Sequence, residues 1–156
     1  MMKIYTKTGD SGYSDILGKR LKKSDRIFAL VGTVDKLNAV LSLGLSFCAN
    51  DDVKSEISAL QSEIVKLNGK ISGYGEFDFD VSHFEKRIDF YSEKTVGFSL
   101  YNMPRKKDSA FFNLARTICR DAERTATEID GENTDLIRYL NRMSDYLYAV
   151  GKYLDI

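Results

Sequence analysis

Leu114-Ala115-Arg116-Thr117-Ile118-Cys119-Arg120-Asp121-Ala122-Glu123-Arg124 lies in the middle of a long run with helical spacing. At about 100° per residue, Arg116, Arg120 and Glu123 fall on one side of such a helix, with Arg124 a step further round. Phe111, Leu114, Ala115, Ile118 and Ala122 are expected on the opposite, buried side. The helix would then bury one stripe and present three guanidinium groups and a carboxylate on the other. Arginines arrayed in this way bind polyanions, because each planar fork offers paired donors to phosphate or carboxylate and never loses its charge. Taken plainly, the same face is a solvated surface laced with i,i+4 ion pairs, each worth a few tenths of a kcal/mol.

Working outward, the three- and four-residue apolar steps recur. Ile27, Leu30, Val34, Leu37, Leu41 and Leu45 predict a helix over roughly 25–48, with Ser24 or Asp25 as its N-cap. Val53, Ile57, Leu60, Ile64, Leu67 and Ile71 predict a second over roughly 51–72, stopped by Gly73 and Gly75. Phe84, Ile88 and Tyr91 carry a shorter one over about 81–93, with Ser82 as a candidate cap. The arginine helix spans about 107–129 and ends near Gly131. Leu136, Leu140, Met143, Leu147, Val150 and Leu154 form a near-heptad stripe over about 134–154. Thr95 to Pro104 reads as an irregular or extended connector. Five amphipathic helices with short connections predict an all-α fold, a five-helix bundle occupying 1–156 as a single domain, antiparallel between sequence neighbours.

Composition narrows the function. With 43% hydrophobic residues, 29% charged and one proline among 156 residues, the chain has the makings of a packed core. Lys+Arg and Asp+Glu both total 23, which argues against bulk nucleic acid or an anionic membrane as partner. No apolar run is expected to reach membrane-spanning length and no signal peptide opens the sequence, so a cytoplasmic, soluble protein is expected. Cys48 and Cys119 lack metal-ligand spacing and suit small core positions in a reducing compartment. The one histidine, His83, has no metal-ligand companion and is expected at the surface near a helix start.

Residues 1–23 differ from the rest. After the short extended Lys3-Ile4-Tyr5-Thr6 comes Lys7-Thr8-Gly9-Asp10-Ser11-Gly12-Tyr13-Ser14, then Lys19, Arg20, Lys22 and Lys23. Glycines let the backbone approach a ligand, while hydroxyls and lysines donate to an anion. This is phosphate-loop chemistry without the Walker spacing. Two further polar placements are Asp35, off the apolar stripe of the first helix, and Asn141 with Asp145, i,i+4 on the last.

Together these segments resemble the PduO-type ATP:cob(I)alamin adenosyltransferases. The matching pieces are Tyr5-Thr6-Lys7-Thr8-Gly9-Asp10 with Gly12, Gly32-Thr33-Val34-Asp35 with Leu37-Asn38, Leu114-Ala115-Arg116-Thr117 with Cys119-Arg120 and Ala122-Glu123-Arg124, and Leu140-Asn141-Arg142 with Ser144-Asp145-Tyr146. Each is unremarkable alone; four in order along nearly the whole chain are specific. The resemblance implies a five-helix bundle forming a homotrimer, with ATP held between subunits by a short irregular N-terminal segment and the arginine helix. Thr6, Lys7, Thr8, Gly9, Ser14, Lys23, Arg120, Glu123, Arg124 and Asn141 would contact the nucleotide, accompanied by Mg²⁺. Asp35 would pair across the subunit boundary with Arg116 on the corrinoid side, and Phe98 would lie beneath the corrin ring of cob(I)alamin. The reaction implied joins the 5′-carbon of ATP to cobalt and releases triphosphate.

The sequence also departs from that family. Its usual Phe-x-x-Pro-Gly-Gly loop is here Phe98-Ser99-Leu100-Tyr101-Asn102-Met103-Pro104, without the glycine pair. Asp121 stands where an arginine is usual beside Arg120, and Lys36 where a glutamate is usual beside Asp35. These changes leave open a non-catalytic trimer that binds, delivers or senses ATP or corrinoid.

Overall fold

The computed structural model describes residues 4–95 and 103–156. The first helix, α1, spans Arg26–Phe47, and α2 spans Asp51–Ile71. They are followed by α3 (Ser82–Lys94), α4 (Lys107–Ile129) and α5 (Thr134–Leu154). All five expected helices form, with ends within a residue or so of the periodic pattern.

Their starts have local causes. The Asp25 carboxylate accepts the Ile27 amide, and the Asn50 and Asn133 side chains accept from Val53 and Leu136, replacing partners the first turn lacks. Ser82 does not cap α3. Asp80 instead accepts both the Ser82 amide at 3.0 Å and its hydroxyl at 2.7 Å. At the far end of α2, Gly73 and Gly75 take φ of +87° and +73°, which side chains rarely tolerate.

Helix α4 is central, packed against both α1 and α5, while α3 rests on α5 and α2 on α1. The α1–α4 approach is close enough that a Cβ on Gly44 would lie 3.1 Å from the Phe112 ring. The buried stripe of α4 is Ser109, Phe112, Ala115, Ile118, Cys119, Ala122 and Ala126. The expectation that Phe111 and Leu114 face inward needs correction. Leu114 is 46% exposed, and Phe111 is half-buried, stacked on Phe47. With helices covering α4 from two sides, its buried stripe is turned one position away from the one centred on Leu114. Cys48 and Cys119 are both buried free thiols.

A polar network joins α2, α3 and α5. The Glu56 carboxylate accepts from the Tyr91 and Tyr146 hydroxyls at 2.9 and 3.1 Å and pairs with Arg87. Glu63 accepts from Tyr139 at 2.8 Å. His83 lies in the first turn of α3, as expected of a capping-region residue, and is half-buried, stacked on Phe84 with its Nε2 3.4 Å from Glu63.

Two expectations change. The N-terminal segment is not wholly irregular: Tyr13–Ile16 (β1) and Lys19–Lys22 (β2) form an antiparallel hairpin pairing Ser14 with Leu21 and Asp15 with Arg20. Leu17 and Gly18 turn it with positive φ, Ile16 enters the core, and the Leu17 amide donates to Ser72 at 3.0 Å. Second, α1 does reach membrane-spanning length and is apolar enough over an 18-residue window to cross a membrane by composition. Its apolar side nonetheless packs on α2 and α4 through Leu30, Val34, Leu37 and Leu41, as a core helix does. Only 33% of that window is buried. Asp35, Ala39 and Leu43, at four-residue steps, lie on an uncovered stripe.

Candidate functional site

Ser109, Asn113, Arg116 and Arg120, at three- and four-residue steps, line one side of a cavity of about 390 Å³ between α4 and α5. Ser144, Asp145 and Tyr148 of α5 line the other side, and Met103 and Pro104 close one end. The Arg116 Nε donates to the Asn113 amide oxygen at 3.0 Å, and its guanidinium sits 5.9 Å from the Tyr148 ring centre. The arginine is thus aimed by a neighbour one turn back and an aromatic face from α5. Burial pushes the Tyr148 phenol above its ordinary value against the opposing charge of Arg116, so it remains a protonated donor at neutral pH.

Arg120 is exposed at the cavity and has no carboxylate partner among the described residues. Asp145, by contrast, is paired with Arg142 at 2.8 Å. Further along, the Glu123 carboxylate accepts from the Asn141 amide at 3.0 Å, tying α4 to α5. Arg124 pairs with Asp121, so Asp121 neutralises its neighbour. The arrangement is an array of guanidinium groups in which two, Arg116 and Arg120, have no carboxylate partner among the described residues, and Arg120 is the exposed one.

The N-terminal residues form a second group. Thr6 and Thr8 hydroxyls are 2.8 Å apart, Lys7 takes a φ of 61°, and Arg20 donates to the Thr8 carbonyl at 2.7 Å. Lys23 lies over Gly9 so closely that a Cβ there would be 2.7 Å from its Nζ. Thr6, Lys7 and Thr8 are exposed and Ser14 half-buried on β1. Asp35 lines a separate groove of about 300 Å³ between α1 and α2, with Asn38, Ile64, Asn68 and Tyr74. Phe98 lies outside the described residues.

Within one chain these groups do not converge. The hairpin makes no extensive contact with α4, and Asp35 and Arg116 line different cavities. Asn113, Tyr148 and Asp155 escaped the sequence analysis. Asn113 carried a signal, three residues before Arg116 on the same face. Tyr148 and Asp155 meet α4 only through tertiary packing.

Residues 4–154 match the sequence profile of the family described as cobalamin adenosyltransferase. The chain belongs to that family. Among its relatives, the corrinoid adenosyltransferase of Bacillus subtilis strain 168 is 31% identical over 165 residues, spanning 97% of this chain and 86% of the relative. The mouse corrinoid adenosyltransferase MMAB is 30% identical, spanning 97% and 72%. Two solved structures of single-residue variants of the PduO-type adenosyltransferase from Lactobacillus reuteri superpose with a TM-score of 0.90 at 27% identity. One, complexed with ATP, spans 97% of this chain and 94% of that chain. The other, complexed with cobalamin and ATP, spans 98% and 93%. The five-helix architecture of this member is therefore that of the family.

Proposed function

We propose that this protein is an ATP:corrinoid adenosyltransferase that acts as a homotrimer of single-domain subunits, moving the 5′-deoxyadenosyl group of ATP onto the cobalt of cob(I)alamin. The observation carrying this is the aligned Arg116–Arg120 pair on a cavity between α4 and α5, in a chain of the cobalamin adenosyltransferase family. In the reaction the cobalt(I) electron pair attacks C5′, the cobalt–carbon bond forms, and the C5′–oxygen bond breaks with its electrons leaving on triphosphate. The nucleophile comes with the corrinoid, so the protein needs no catalytic base. Its tasks are to hold C5′ in line with cobalt and to stabilise charge on the departing triphosphate.

Arg120, with Lys7, Lys23 and Arg124, serves the second task. Thr6, Thr8, Gly9, Ser14, Glu123 and Asn141 orient the nucleotide. Arg116, opposed by Asp35 of a neighbouring copy, shapes the corrinoid side, and Phe98 is the residue assigned to exclude a lower axial ligand. Mg²⁺ suits such a site without a protein cage, since it binds mainly through phosphate oxygens and water; no cluster of three metal-ligating side chains occurs among the described residues. Bound there, Mg²⁺ would neutralise triphosphate charge.

Two features of one chain support the proposed oligomer. The nucleotide-binding groups fall into two sets that a single subunit leaves apart. Helix α1 is apolar over a spanning-length window yet only one-third buried, leaving an uncovered stripe that includes Asp35. The buried free thiols and balanced charge suit a soluble protein of a reducing, cytoplasmic compartment, without nucleic-acid or membrane partners.

The test mixes purified protein with ATP, Mg²⁺ and chemically reduced cobalamin and follows the absorbance change on cobalt–carbon bond formation. Turnover with release of triphosphate is expected. Saturable ATP binding without turnover would instead assign a binding or delivery role, and absence of both would refute the proposal.

A further inference from the structure

Helix α4 starts without a cap of its own, because its N-cap residue, Lys106, makes no side-chain cap bond. The acceptor comes from the other end of the sequence. One carboxylate oxygen of Asp155, the residue closing α5, accepts the Arg105 amide at 2.7 Å and the Lys106 amide at 3.0 Å. These are the first backbone donors after Pro104, which has none. A carboxylate there also favours the positive end of the α4 dipole. Partial burial alone would raise the Asp155 pKa, but the Lys106 and Arg105 amides and the Lys106 and Lys152 charges outweigh it and hold it below the ordinary carboxylate value.

The contact reaches the site because Met103, Pro104 and Asp155 line the same cavity as Arg116 and Arg120. It pins one end of that cavity only. Glu123, Arg124 and Asn141 lie toward the opposite end of α4, Ser109 and Glu123 being about 21 Å apart along the axis at helical rise. We infer that Asp155 is a positioning residue for the corrinoid half of the site, fixing the Met103–Pro104 wall through the Arg105 and Lys106 amides while leaving the nucleotide half untouched. The division into corrinoid and nucleotide halves rests on the proposed transferase function.

The experiment compares Asp155→Leu, close in size and without an acceptor oxygen, and Asp155→Ala with the wild-type enzyme in steady-state adenosyl transfer and in hydrogen exchange. A lost helix-cap contact corresponds to about a fivefold or larger rise in KM for cob(I)alamin. KM for ATP is expected to stay within about twofold of wild type, with Asp155→Glu partly restoring the corrinoid value. The Arg105 and Lys106 amides should exchange faster in both variants while the α5 core keeps its protection. Parallel rises in both KM values, or no change in either, would overturn the inference. If wild-type protein does not turn over, the transferase proposal itself fails. Asp155 is then judged by cob(II)alamin absorbance titration together with exchange: Asp155→Leu must weaken binding and deprotect both amides, and unchanged behaviour in either measurement overturns the inference. Should Asp155→Ala fail to fold, Asp155→Leu alone carries the comparison.

Discussion

Arg120 stands at the cavity without a carboxylate partner among the described residues, and a solvated guanidinium in that position waits for an anion. If the triphosphate leaves against it, Arg120→Ala should lower kcat by about 10²–10³-fold, the range found when a single charge-stabilising donor is removed. Circular dichroism and oligomer size should remain those of the wild type, because the side chain is exposed. A wild-type rate would remove Arg120 from the leaving-group site. Gly9 gives a second residue-scale prediction. A methyl group there meets Lys23 Nζ at 2.7 Å, and the flexible lysine must move away. Gly9→Ala should therefore fold normally and raise KM for ATP by roughly the fivefold expected for a disturbed charge-assisted contact. An unchanged KM would mean that the position of Lys23 over Gly9 is irrelevant to ATP.

At the scale of elements, the α1–α4 contact is the tightest test of the fold. A Cβ on Gly44 would lie 3.1 Å from two carbons of the Phe112 ring, itself fully buried. Gly44→Ala should destabilise by about 1–3 kcal/mol through overpacking, despite alanine's better helix propensity. Urea denaturation measures which effect wins. The α2–α3–α5 network makes a pH prediction. Burial pushes the Tyr91 phenol up to about 12, with hydrogen bonds to Arg87 and Glu56 also acting on it, and raises Tyr139 and Tyr146 as well. Groups with raised folded pKa values stabilise below the unfolded tyrosine value near about 10 and lose that contribution as pH rises through the folded value. Stability should thus fall between pH of about 10 and 12, and Tyr91→Phe should flatten that fall. A stability flat across this range would show that these phenols do not remain protonated.

For the whole molecule, the decisive prediction concerns shared sites. Lys23→Ala and Arg120→Ala subunits should each be nearly inactive alone. Unfolded, mixed in equal amounts and refolded together, they should regain activity at about a quarter of the sites, since random assembly brings an intact N-terminal turn beside an intact α4 that often. Sites confined to one chain would recover nothing.

The helices and most of their ends were legible in the sequence because they depend on information within a few residues: a 3.6-residue apolar period, Asp25 as a cap, and glycines at 73 and 75. Arg116 and Arg120 could likewise be placed on one face, since helical spacing alone fixes that. The burial of Phe112 in place of Leu114, the hairpin at Tyr13–Lys22 and the carboxylate of Asp155 on the start of α4 required the folded chain. Each depends on which surfaces meet across many residues, and local periodicity carries no record of that. The sequence by itself determined the helices and the charge on their faces; tertiary packing alone decided which stripe of α4 is covered and what holds its first turn.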